Sequence, residues 1–123
     1  MNCVLTGLTI APEGHTTTIS KTSSKNLMWS FPQMIAHHTL GGCPLRTGDL
    51  LGSGTISGTG LDQKGSLLEI SNGGKNDISL NGGGVRKFLL DGDTITIRGA
   101  AGAAGQKVGF GECIGRIHAP KDQ

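Results

Sequence analysis

"DGDTITIRGAAGAAGQKVGFGECIGRI", residues 91–117, holds two runs of strand-forming residues joined by a tract of Gly and Ala. In "TITIRG" (94–99), Ile95 and Ile97 fall on one face and Thr94, Thr96 and Arg98 on the other. That is the period of two expected of a half-buried antiparallel strand. "KVGFGECIGRI" (107–117) predicts a second strand, Asp91-Gly92-Asp93 a turn ahead of the first, and "GAAGAAG" (99–105) a flexible surface loop between them.

Moving toward the start of the chain, "RKFLL" (86–90), "NDISL" (76–80), "SLLEIS" (66–71) and "DLLGSG" (49–54) are short runs that predict further strands, with "NGGG" and "NGG" as turns. Val4, Thr6, Leu8 and Ile10 alternate before "PEG" (12–14), and "TTTIS" (16–20) follows, which predicts a hairpin. One segment changes period. In "LMWSFPQMIAHHTL" (27–40), Phe31, Met34, Ile35 and His38 recur at i, i+3, i+4 and i+7, Ser30 suits an N-cap, Pro32 suits a first turn and Gly41-Gly42 stops the pattern. These signals predict one helix of about three turns near residues 30–40. The expected fold is therefore mainly β, a roll or sandwich with a single short helix.

Composition agrees. A chain of 123 residues with 35% hydrophobic and 3% aromatic residues has the length of one domain and a modest aliphatic core, and its 22 glycines imply many turns. Eleven Lys and Arg against nine Asp and Glu leave a net charge of +2 with no basic run, so nothing points to nucleic acid. Cys3, Cys43 and Cys113 form no CxxC pair, which argues against structural zinc or a disulfide framework and predicts free buried thiols in a reducing compartment. No basic leader precedes an apolar core and no stretch of 18 apolar residues occurs, so a soluble intracellular protein away from membranes is expected.

Several groups invite a chemical reading and meet a plainer one. "GLDQKGS" (60–66) has the G-x4-G spacing of a P-loop, but Ser66 stands where Lys is required and a strand is expected next. "GFGECIG" (109–115) is one residue too long for a dinucleotide fingerprint. His37 and His38 are adjacent and so point about 100° apart on a helix, unlike the i, i+4 pairs that hold metals, and His38 falls on the apolar face as a core histidine. His15 and His118 are expected at the surface. Asp91 and Asp93 suit a turn, Asp49 caps another, and Glu69, placed on a strand with Leu67 and Ser71, faces either solvent or a polar cleft.

Longer motifs change the weighting of Glu69. "AHHTLGGCPLRTGDLLGSGTISG" followed by "GSLLEIS", "RKFLLDGDTITIRG" and "VGFGECIG" resembles the C-terminal part of the fumarylacetoacetase family, from about Leu5 to Ile117. The resemblance implies a single partial domain over residues 1–123, built as the C-terminal part of that family's mixed β-sandwich roll. It implies a complete enzyme that hydrolyses a carbon–carbon bond in 4-fumarylacetoacetate, a diketo acid, giving fumarate and acetoacetate in tyrosine and phenylalanine catabolism. That enzyme would be a cytoplasmic homodimer using Ca and Mg. Thr55 falls at the family's substrate-contacting position and Glu69 at the carboxylate that orients a catalytic His. The family's metal-binding carboxylates, base and oxyanion group lie upstream of the matched region, so this chain is expected to hold no metal and to be inactive alone. A non-catalytic homologue that associates with a full-length partner is the alternative. Within the family pattern, the loops "GTGLDQKGS" and "GAAGAAGQ" depart from the usual sequence.

Overall fold

The computed structural model describes residues 3–12, 14–103 and 105–121, with side chains from residue 9 onward. Four strands form one antiparallel sheet: β1 (Cys3–Ala11), β2 (Thr17–Ser23), β5 (Thr94–Ala103) and β6 (Gln106–Arg116), in the spatial order β2-β1-β5-β6. The expected N-terminal hairpin is present as β1 and β2, with Ile10 opposite Thr17 and the His15 N–H donating to Pro12 O at 3.1 Å to close the turn. Glu13 of the "PEG" turn lies outside the described residues. Thr9 sits opposite Thr96, so the two ends of the chain share the middle of the sheet.

Between β2 and β5 the chain forms α1 (Phe31–Leu40), a four-residue helical turn α2 (Leu67–Ile70), and a two-stranded sheet of β3 (Ile78–Ser79) and β4 (Val85–Arg86). Helix α1 begins where Ser30 and Pro32 predict, with the Ser30 N–H and hydroxyl both donating to Gln33 Oε1 at 2.8 and 2.9 Å. Among the described residues the buried apolar centre is small: Ile10 and Ile19 from the hairpin meet Leu80, and Leu67, Ile70, Ile78 and Leu89 pack around them. Polar ties complete the attachment of the excursion to the hairpin. Asn81 donates through its backbone N to Thr17 Oγ1 at 2.8 Å and through Nδ2 to Thr16 O at 2.9 Å.

Asp93 stands at the start of β5 and is 1% exposed. Its Oδ2 and Oδ1 each take a 2.9 Å bond from Arg86, to Nε and Nη2, and the Leu90 N–H donates to Oδ2 at 2.9 Å. The turn expected around Asp91-Gly92-Asp93 is present, and it carries a bidentate ion pair that locks residues 86–93 into a loop.

Other expectations are corrected. "GAAGAAG" is not a flexible loop: β5 continues through Ala103 and β6 starts at Gln106, with those two residues paired. Small side chains allow so tight a reversal, and a Cβ on Gly102, at φ 126°, would collide with the Gln106 carbonyl oxygen. "DLLGSG" forms no strand: it pairs with neither sheet, and it lies between Gly48 at φ 95° and Gly54 at φ 75°, which turn the chain at its two ends. Within "RKFLL" pairing reaches only Arg86, whose side chain is drawn to Asp93. "SLLEIS" is helical at Leu67–Ile70 rather than extended. His38 is exposed, not a core histidine, since the apolar stripe of α1 borders an open cleft instead of a packed layer and Phe31 at its start is 70% exposed. Cys43 and Cys113 are free but exposed, not buried: one lies in the loop after α1, the other on β6, all of whose residues are exposed. Cys3 falls outside the described side chains.

Candidate functional site

The Gly- and Ser-rich loop that precedes α2 is closed on itself. The Gly58 N–H donates to Gln63 O at 2.8 Å, the Gln63 N–H to Gly60 O at 3.1 Å, and Lys64 Nζ reaches back to Gly58 O at 3.0 Å. Buried Ser20 on β2 donates to Lys64 O at 2.5 Å, which fastens the loop to the sheet. The loop is therefore tied by its own hydrogen bonds, although none of residues 52–66 is buried.

Glu69 belongs to α2. Ser66 is the N-cap: its Oγ accepts the Glu69 N–H at 3.3 Å and donates to Glu69 Oε2 at 3.0 Å. Ser57 donates to the same Oε2 at 2.8 Å while its Oγ accepts the Gly65 N–H at 3.0 Å. One carboxylate oxygen is thus held by two hydroxyls, and Oε1 takes no hydrogen bond among the described residues. The Ser57 hydrogen bond lowers the Glu69 pKa most. Desolvation opposes it with the next largest effect, and Ser66, the positive charge of Lys64 and the Gly65 N–H add smaller lowering contributions. Glu69 is accordingly a carboxylate at neutral pH, and an acceptor for a partner's N–H.

Thr55 and Glu69 line the same open cleft of about 540 Å³, together with Ser53, Ser57 and Ser66; Trp29 and Met34 contribute to the other wall. A larger cleft of about 760 Å³ adjoins it between α1 and residues 50–53, lined by Phe31, His37, His38, Leu50 and Leu51 among others. The larger cleft is mainly apolar, with His37 and His38 among its lining, whereas the Glu69 carboxylate lines the smaller one. No histidine bonds to Glu69 among the described residues, and no three His, Cys, Asp or Glu side chains converge. Asp49 accepts the Arg46 N–H at 2.8 Å, the turn role its sequence context predicts.

The period-two reading of "SLLEIS" obscures this arrangement, but Ser66-x-x-Glu69 is a capping-box spacing and marks a helix start. No local signal identifies Ser57, whose partner lies twelve residues away.

Gly65 is where the loop meets Thr55 most closely. A Cβ there would lie 2.5 Å from Thr55 Cγ2 and 2.6 Å from Ile56 O. The Gly65→Ala variant should lose about 1–3 kcal/mol in urea unfolding and shift the Thr55 methyl resonance, as an overpacked contact does. An unchanged midpoint together with an unchanged methyl resonance would show that the loop gives way freely.

Residues 4–118 match the family model described as fumarylacetoacetate (FAA) hydrolase C-terminal. Among curated proteins, the fumarylacetoacetase of Aspergillus fumigatus is 59% identical over 104 residues, which is 85% of this chain and 24% of that protein. The fumarylacetoacetase of Caenorhabditis elegans is 45% identical over 112 residues, 89% of this chain and 27% of its own length. That of Homo sapiens is 47% identical over 100 residues, 81% and 24%. The chain spans about a quarter of the length of the curated relatives it matches.

Proposed function

Because the chain belongs to the fumarylacetoacetate hydrolase family, we propose that it forms one wall of a site that hydrolyses 4-fumarylacetoacetate to fumarate and acetoacetate. The observation that carries this reading is the shared cleft. Thr55 presents a hydroxyl and Glu69 an ionised carboxylate to one space, and one oxygen of that carboxylate is left to accept from outside. In this reading Glu69 orients and charges a histidine base that the chain itself does not bring to the site, and Thr55 binds the substrate in its ground and transition states alike.

The resemblance also implies Ca and Mg in the complete enzyme. A hard cation takes about six oxygen ligands, and no carboxylate cluster exists among the described residues. The residues present do not fit such an ion. The chain alone is proposed to be inactive, and the complete enzyme to act as a cytoplasmic homodimer. Among the described residues no helix is long and apolar enough to cross a membrane.

A second reading has its own support. Val108, Phe110 and Ile114 on β6 and, separately, Phe31 on α1 are exposed, apolar side chains of the kind through which proteins associate. It would suit a non-catalytic homologue that works by binding a full-length partner. A chimaera separates the two. Residues 4–118 should be able to replace the matching quarter of the Aspergillus fumigatus fumarylacetoacetase and still release fumarate. A folded chimaera with no activity would overturn the enzymatic reading and favour the second. In the active chimaera, Thr55→Val should raise KM roughly 3- to 10-fold with kcat held, the loss of one hydrogen bond made equally in both states. A fall in kcat instead would place Thr55 at the reacting bond.

A further inference from the structure

The geometry points to Ser57 as a positioning residue: its hydroxyl fixes the Glu69 carboxylate so that Oε2 is held by the loop and Oε1 is presented to the cleft. The inference rests on the reading of Glu69 as the group that orients a base.

Ser57 is the only hydroxyl among the described residues that ties the closed loop to Glu69 from outside α2. Ser66, the other donor, moves with Glu69 because it caps the same helical turn, so it sets the local rotamer but not where the carboxylate stands in the cleft. Ser57 is anchored independently. Its oxygen accepts the Gly65 N–H, and the Lys64 carbonyl next to Gly65 is held by Ser20 of β2. A chain of hydrogen bonds thus runs from the sheet through Ser20, the 64–65 backbone and Ser57 to Glu69. Because Gly65 donates to the Ser57 oxygen, the hydroxyl proton is left to point at the carboxylate, and the bond to an ionised acceptor is the stronger kind. Among the described residues Lys64 is the one charged side chain that acts on Glu69, and its ammonium is turned toward Gly58 O. The carboxylate is therefore positioned by neutral hydroxyls, which leaves its charge available to a histidine.

Carbon-13 carboxyl NMR on this chain reads the contact directly, since Glu13, Glu69 and Glu112 are its only glutamates. In Ser57→Ala the Glu69 titration midpoint should rise toward the ordinary glutamate value, while Ser57→Thr, which keeps the hydroxyl, should restore it. If Ser57→Ala does not fold, Ser57→Cys keeps the shape with a weaker donor and should give a smaller rise. In the chimaera, Ser57→Ala should lower kcat about 10-fold with KM held, and in a Glu69→Gln background it should add nothing further. An unmoved midpoint in Ser57→Ala overturns the inference whatever Glu69 does. So does a raised midpoint with kcat unchanged, and if Glu69→Gln still lowers kcat, the role of Glu69 survives that failure. If Glu69→Gln itself leaves kcat intact, both fall together.

Discussion

Asp93→Asn should destabilise the chain by about 3 kcal/mol in urea unfolding at neutral pH, the lower end of the range for breaking a buried ion pair by removing one partner. The substitution keeps the shape of the side chain and removes its charge. It leaves Arg86, whose side chain is 16% exposed, without the fork of two 2.9 Å bonds that now neutralises it. Such a loss is a large fraction of the roughly 5–15 kcal/mol by which domains are stable. A double variant that replaces Arg86 by Met as well should recover much of it, because the uncompensated cation is then gone.

The same pair makes stability depend on pH. The Arg86 hydrogen bonds hold the Asp93 carboxyl below its ordinary value, helped by the Leu90 N–H and by the Arg86 charge and opposed in part by burial. A carboxyl whose folded pKa is depressed contributes stability that is fully present above its unfolded value, about 4, and is lost as pH falls through the folded one. The urea midpoint of the wild type should therefore drop below about pH 4, and that of Asp93→Asn should drop less. Parallel curves for the two proteins would show that other carboxyls govern the acid limb.

Glu69→Gln in the active chimaera should lower kcat about 10²- to 10³-fold with KM little changed. Exchanging a carboxylate for an amide beside a catalytic imidazole preserves the fit and removes the charge that stabilises the imidazolium. The amide also has only one acceptor oxygen, which cannot serve both the Ser57 and Ser66 hydroxyls and the base. Since hydrogen bonding keeps the Glu69 carboxyl below its ordinary value, the acid limb of the kcat profile should belong to the base. If kcat is unchanged, Glu69 serves only the cap of α2, and its family role does not transfer.

Period and punctuation explain which parts of this molecule are legible from sequence. Ile95 and Ile97 with Thr94 and Thr96 suffice to place β5, and Ser30, Pro32 and Gly41 suffice to bound α1, because each signal is local. The four residues of α2 are too few for a helical period, and Leu67-Leu68-Glu69-Ile70 passes equally well for a strand; only Ser66-x-x-Glu69 distinguishes them. His38, Cys43 and Cys113 show the limit of inferring burial from residue type, since burial depends on what packs against an element and not on the element itself. The composition of Asp91-Gly92-Asp93 predicts a turn but not that Arg86 returns to it. Thr55 and Glu69 emerge as candidates through motif resemblance alone. Ser57 has no such signal, because its role exists only once the loop is closed.

The pairing of β1 with β5 sets a timetable for synthesis. Thr9 and Thr96 are 87 residues apart, so at translation rates of 5–20 residues per second the two central strands meet no sooner than about 4–17 s after the first is made. Throughout that interval the nascent hairpin of β1 and β2 carries an open hydrogen-bonding edge, and pairing at so high a contact order is slow even after the last strand arrives. Until residue 94 leaves the ribosome, β5 cannot cover that edge of β1.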